Sequence, residues 1–354
     1  MASSRPPWES SPSNSQAFGR VEAVSTGAVQ RDLVTKKGGS IAWASGQGAE
    51  DYAFVHVAPC HMPLPVLIAV PHAGRAYPPE IEAQMRDARH SQLRLEDRLI
   101  DTIGVEIARA TGTGLLVAHA PRAMIDLNRA ADDIDWGMVK KPQGFDPSTF
   151  TARLVGEGRS VGSGNARSRS GLGLVPRRLP GFGEIWRSAI PSDEVKRRVE
   201  HIHRPYHEFL ARELVRIRDA WGAALLIDLH SMPPLRRREG EQRAPRIVLG
   251  DRYGVSCDSA ISDHAFNYLD HHGCVTAHNR PYSGGYVLDR HARPTRGIHA
   301  IQVEVCRSTY LDSAFAETTN EAVGLAQMLA GLVRVLGAET AGLGSVGRIP
   351  QAAE

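Results

Sequence analysis

Two short segments carry residues that are costly to bury without a partner, VPHAG at 70–74 and LLIDLHSMPP at 225–234. Each reads as an apolar strand that stops on a histidine, His72 in the first and His230 in the second. In an open α/β sheet, polar residues at the carboxyl ends of strands gather in the crevice where ligands bind. Two histidines and one carboxylate make the usual ligand set of a catalytic zinc ion, with a position left open for water. The acid is sought in LEDR at 95–98, on the helix expected after the first histidine, with Asp97 preferred and Glu96 second. Neighbouring helical residues point about 100° apart, so one of the two faces the site. Asp228 lies two residues before His230, shares its face of the strand and is placed to orient that imidazole. In the plainer reading His230 merely closes a strand with a backbone hydrogen bond, and three strand ends arriving together weigh against it.

The third strand end is GLLVAHA (114–120), followed by PRAMIDLNR with Asp126, Asn128 and Arg129. A further strand, HAIQVEV (299–305), alternates Ile301, Val303 and Val305 on one side with Gln302 and Glu304 on the other. A charge in such a strand needs a partner or a task. Beside a metal-activated water, Glu304 is placed as general base. A solvent-facing edge strand, or a salt bridge to Arg307, accounts for it equally well. The segment from Tyr282 to Tyr286 has two adjacent glycines, which fit either an ordinary turn or a close approach to ligand. In HRPYH, His203 and His207 stand at i and i+4 as a second possible metal pair, ranked below the first because no acid accompanies them.

The elements that position these residues follow from periodicity. Apolar runs at 65–70, 114–120, 223–229, 246–250 and 299–305 read as buried strands. Between them, Ser91 is expected to cap a helix with Leu95, Leu99, Ile103 and Ile107 on one face, ended by Gly112. A second helix is expected from about Asp193 to Trp221, kinked or split by Pro205, and a third from about Ser313 to Val335. Strands alternating with helices imply a three-layer αβα fold around a mixed, largely parallel sheet. The expected organisation is an N-terminal extension at 1–22, one catalytic domain at 23–336 with a lid-like insertion at about 130–190, and a flexible tail at 337–354.

Composition narrows the classes. The 42 basic and 39 acidic side chains nearly balance, which argues against nucleic acid and membrane as partners. The basic runs RRR (236–238) and GNARSRS lack interleaved aromatics and read as solvated surface. No apolar run reads as long enough to cross a bilayer, and the N-terminus lacks the apolar core of a secretory signal. Four scattered cysteines without a CxxC pair make a reducing cytoplasm the expected location.

The blocks VPHAG, LEDRLID (95–101), RAMIDLNR (122–129), SGLGLVP (170–176), HRPYH (203–207), LLIDLHSMPP, LGDRYGVSCD (249–258), NRPYSGGYVLDRH (279–291) and HAIQVEVCRSTYLD (299–312) occur in an order that resembles the N-formylglutamate amidohydrolases. That family is distantly similar to the zinc carboxypeptidases, and the resemblance implies their fold. It implies one zinc ion, or another divalent metal, on His72, His230 and the acid at 96 or 97, with Glu304 as general base. It implies that Asn128 and Arg129 hold a substrate carboxylate. Carboxypeptidases place the acid three residues after the first histidine; that position here is Arg75, so the acid comes from elsewhere. Arg122, placed in a catalytic role, and Arg290 and Arg307 are supporting arginines, and Tyr282 or Tyr286 is expected to donate to substrate. The implied reaction is hydrolysis of N-formyl-L-glutamate or a similar N-acyl amino acid. The alternatives are a carboxypeptidase-like or deacylase activity on another N-acylated amino acid, and a non-catalytic small-molecule binding protein.

Overall fold

The computed structural model describes residues 32–42, 52–155, 170–179, 181–237 and 243–346. Its centre is an eight-stranded sheet of β1 (Leu33–Gly38), β2 (Phe54–Pro59), β3 (Val66–Val70), β4 (Gly114–Ala118), β5 (Ala224–Met232), β6 (Ile247–Gly250), β7 (Thr276–His278) and β8 (Ile298–Cys306). They lie in the order β1-β2-β4-β3-β5-β8-β6-β7. The inner strands β4, β3, β5 and β8 run parallel, so their carboxyl ends meet at one edge. Antiparallel pairings flank them at β1–β2, β2–β4 and β6–β8. The sheet is therefore mixed with a parallel centre, as the alternation of strand and helix patterns requires.

Side chains alternate across this sheet and divide the core in two. On one face Ile68, Val70, Ile227, Leu229, Ile301 and Val303 pack with α2 (Ile100–Thr111), α5 (Ser259–His271) and α6 (Glu321–Val346). On the other, Leu67, Ala69, Leu226 and Ala300 pack with α4 (Arg204–Trp221) through Tyr206, Leu210, Leu214 and Ile217. Asp228, His230, Gln302 and Glu304 interrupt the second face where β5 and β8 approach their ends. The register sets Glu304 beside His230 and Gln302 beside Asp228. Glu304 thus sits on an inner strand, which corrects the edge-strand alternative.

The expected helix from Ser91 to Gly112 is two helices. The first, α1 (Ala88–Leu95), is capped by Asp87, whose side chain accepts from the His90 amide, while Ser91 is buried within it. Glu96 is extended and Leu99 takes a left-handed φ of 57° before α2 begins. Contacts distant in sequence hold the break: the Asp97 amide donates to the His72 carbonyl, and Tyr310 Oη donates to the Arg98 carbonyl at 2.8 Å. Glu96 and Asp97 therefore lie on a turn rather than a helix.

The second long helix does change character before Pro205. It runs as α3 (Ser192–Arg198), a π-helical turn over Val199–His203, and then α4. A missing proline amide is accommodated at the first turn of α4.

The last helix runs from Glu321 to Val346 rather than from 313 to 335, so residues 337–346 of the expected tail are helical. The Thr340 hydroxyl is buried and donates to the Leu336 carbonyl, and Gly344 meets the backbone of Trp221 and Gly222 too closely for a side chain. Over Glu321–Ser345 this helix is long and apolar enough to cross a bilayer by length and composition, which corrects the sequence reading. In the fold its buried residues Leu325, Leu329, Leu332 and Leu336 pack against the sheet layer.

The N-terminal extension 1–22 and residues 156–169 of the insertion lie outside the described residues. The insertion's described flanks carry a helix at Pro147–Val155, a short parallel pairing of Val139–Lys140 with Ile190–Pro191, and a hairpin joining Arg178–Leu179 to Gly183–Glu184.

Candidate active site

At the carboxyl edge of β3, β5 and β8, His72, Asp97 and His230 meet. All three are buried, and one potential ligand atom from each falls within 4.8 Å of the others. Asp97 Oδ2 stands 2.9 Å from His230 Nδ1 and 3.7 Å from His72 Nδ1. Behind each imidazole lies a second carboxylate. His72 Nε2 donates to Asp126 Oδ1 at 2.7 Å, and His230 Nε2 lies 2.9 Å from Asp228 Oδ2, near but outside hydrogen-bonding angles.

The Asp126 contact fixes the chemistry of the inward nitrogen of His72, whereas His230 Nδ1 itself donates to Asp97 Oδ2. An ionised carboxylate only accepts, so the proton of His72 resides on Nε2. In the neutral imidazole its Nδ1 is then a bare lone pair; it is buried, aimed at Asp97 and without a hydrogen-bond partner. A buried lone pair that faces a carboxylate is compensated by a proton or by a metal cation between them. Burial opposes ionisation of Asp126, but Arg122 and His72 outweigh it and hold the carboxyl well below its usual range. Burial likewise disfavours a charged His230, yet Asp228 and Asp97 raise it well above its ordinary value, which marks a place that favours positive charge. The residues present fit a divalent metal ion, with imidazoles oriented from behind by carboxylates.

A cleft of about 140 Å³ opens beside this cluster, room for an amino-acid-sized ligand. His72, Asp97, Arg122, Asn128, Arg129, His230, Tyr282, Glu304 and Arg307 all line it. Glu304 is buried and accepts from Gln302 Nε2 at 2.9 Å. Burial raises its carboxyl to about 7, against the pull of His230 and with the push of Asp97. Arg122 Nε donates to Asp126 Oδ2 at 2.9 Å, and Arg129 Nε lies 3.9 Å from the same oxygen. The Asn128 amide nitrogen is 3.4 Å from Gln302 Oε1, and its oxygen accepts from the Val287 amide. Any side chain at Gly285 would collide with Asn128, so this glycine lets the 282–286 segment close over Asn128.

Glu96, Tyr286 and Arg290 are placed elsewhere, while Arg307 lines the cleft with its donors already engaged. Glu96 turns from the cluster to Arg98, 3.1 Å away, and burial raises it to about 7. Tyr286 is not a cleft residue; its hydroxyl accepts from Arg290 and its ring stacks on His203. Arg290 is thereby engaged away from the cleft. Arg307 is buried, donating to Ser231 Oγ and to the Leu93 and Glu96 carbonyls, so it braces the turn that carries Asp97.

Sequence reasoning did not assign the role of Asp126, nor the cleft residues Arg94, Ser231, Pro233, Ser283 and Gln302. The spacing in DLNR held a signal for Asp126, since its Oδ1 also accepts from the Asn128 amide two residues on.

His203, His207 and His291 are struts. His203 Nε2 donates to the Arg129 carbonyl and His207 Nε2 to the Leu127 carbonyl, at 2.8 and 2.9 Å. His207 Nδ1 then accepts from His291 Nε2 at 2.9 Å. Burial holds His203 at about 4 and His207 well below its usual value, so both are neutral. They fasten the loop that presents Asn128 and Arg129.

The N-formylglutamate amidohydrolase family matches residues 64–311, the span holding every cleft residue named above. An N-formylglutamate deformylase of Pseudomonas putida is 30% identical over 265 residues, covering 73% of this chain and 86% of its own length. The crystal structure of N-formylglutamate amidohydrolase from Ralstonia eutropha is similar at a TM-score of 0.68 and 26% identity, over 84% of this chain and 98% of that one. A gene product of Agrobacterium tumefaciens, at 16% identity and a TM-score of 0.56 over 78% of this chain and 92% of that one, shares the fold.

Proposed function

The chain belongs to the N-formylglutamate amidohydrolase family and is a hydrolase of linear amides, and we propose that it cleaves N-formyl-L-glutamate, or a closely similar N-acyl amino acid, to formate and the free amino acid with one zinc ion bound by His72, Asp97 and His230. The observation that carries the metal is the buried Nδ1 of His72, which makes no hydrogen bond and faces Asp97 beside His230. When bound, zinc polarises the amide carbonyl and lowers the pKa of a coordinated water toward ~7.

The protein's own groups supply the rest. Glu304, on the strand beside His230, takes the proton of the attacking water and returns it to the leaving nitrogen; a carboxyl raised to about 7 suits both duties. Arg122 faces the charge that builds on the carbonyl oxygen, and Tyr282 supplies a hydroxyl at the same wall. Asn128 and Arg129 hold the α-carboxylate. Asp126 and Asp228 keep both imidazoles turned with Nδ1 inward. The four cysteines are unpaired, which supports a reducing compartment.

The test is a panel of N-formyl, N-acetyl and N-succinyl derivatives of glutamate and of neutral amino acids, read as kcat/KM. N-formyl-L-glutamate is expected to lead. A lead for another acyl group would reassign the chain as a different deacylase, and ligand binding without any turnover would make it a binding protein.

A further inference from the structure

Arg94, Arg122, Arg129 and Arg307 all line the cleft, and their surroundings differ. Arg122 and Arg129 lie against Asp126, which offsets their charge. Arg307 is buried and spends its donors on Ser231, two backbone carbonyls and, at 3.4 Å, Asp97. Arg94 is exposed and, among the described residues, forms no hydrogen bond or ion pair. It is a cation at the mouth of a buried polar cleft with its charge still available.

Its stem is nevertheless fixed. Arg94 lies in the last turn of α1, and Arg307 grips the carbonyls of Leu93 and Glu96 on either side of it. The backbone from which Arg94 projects is thus anchored to the same turn that holds Asp97. The side chain itself remains free to fold onto a ligand.

A derivative of an acidic amino acid brings two carboxylates, separated by the length of its side chain. The Asn128–Arg129 wall, which follows β4, accommodates one. The second needs a cation from another element that is not already neutralised, and a guanidinium offers paired donors to a carboxylate. Resting on the reading of the cleft as an N-acyl amino acid site, we infer that Arg94 is the specificity-determining residue that engages the side-chain carboxylate of the substrate. It selects dicarboxylic N-acyl amino acids over their neutral counterparts.

The experiment compares kcat/KM for N-formyl-L-glutamate and N-formyl-L-glutamine, which differ at the distal carboxylate alone, in wild type, Arg94→Gln and Arg94→Lys. Because Arg94 is exposed, folding of the variants is checked by their melting temperatures against wild type. The inference expects wild type to prefer the glutamate derivative, Arg94→Gln to lose about tenfold or more of that preference, and Arg94→Lys to keep part of it. An undiminished preference in Arg94→Gln overturns the role of Arg94 and leaves the proposed function standing. A wild type that hydrolyses neither compound overturns both.

Discussion

Two histidine groups stand on neighbouring elements of this molecule and do opposite things. His72 and His230 turn Nδ1 toward Asp97 and keep a carboxylate behind the other ring nitrogen. His203 and His207 direct Nε2 to the carbonyls of Arg129 and Leu127, and His207 closes its second nitrogen on His291. Both groups are buried. The difference lies in what the nitrogens face: in the first group both nitrogens of each ring face carboxylates around a space that favours positive charge, and in the second a backbone carbonyl consumes the proton. The first arrangement suits a cation and the second ties down a loop.

The comparison can be sharpened most by removing the group beside the proposed metal ligands that is not itself one. Glu304→Gln is expected to lower kcat by about a hundredfold or more while metal content stays at the wild-type level. Retained turnover would take Glu304 out of the base role.

A smaller effect is expected on the strut side. His207→Ala removes the bond to the Leu127 carbonyl, so the loop bearing Asn128 and Arg129 loosens. KM for N-formyl-L-glutamate is expected to rise about tenfold with metal content unchanged. Loss of metal in this variant would erase the distinction between the two groups.

A third effect concerns pH. Burial holds His56, His119 and His203 at about 4, below the usual 6.5. Between those values the unfolded chain binds protons that these folded-state imidazoles refuse, so their contribution to stability is full above 6.5 and falls as pH drops toward 4. Each histidine contributes roughly 1.4 kcal/mol per pH unit at most. Glu96, Glu304 and His230, whose folded-state values are raised, oppose this decline, so it is read as the difference between the melting curves of wild type and His119→Gln from pH 7 to 4.5; a difference that does not change with pH would contradict it.

The sheet was legible in the sequence because its inner strands are short apolar runs, and the period of two put Asp228 on the face of His230 and Glu304 on the face of Gln302; that these two faces are one came from the register of β5 and β8. The strands β1 and β2 were not. β1 reads LVTKKG, largely exposed at the edge, and β2 carries His56 in its middle, so neither presents a clean apolar run.

The break between α1 and α2 was hidden for a different reason. Leu95, Leu99, Ile103 and Ile107 keep helical spacing straight through it, and what opens the turn arrives from Arg307 and Tyr310, over 200 residues away. The same turn decides that Asp97 and not Glu96 meets the histidines, which spacing alone left open. For Tyr286 the sequence offered only a residue type beside two glycines; its direction is set by His203 and Arg290.

The central claim is that His72, Asp97 and His230 surround a single cation. Metal analysis of the purified chain, paired with anomalous diffraction at the zinc edge, tests it most directly. One ion per chain within about 2.0–2.2 Å of both Nδ1 atoms and an Asp97 oxygen is the expected result. A fully active chain that holds no stoichiometric metal after chelation, or an ion bound at other residues, would contradict it.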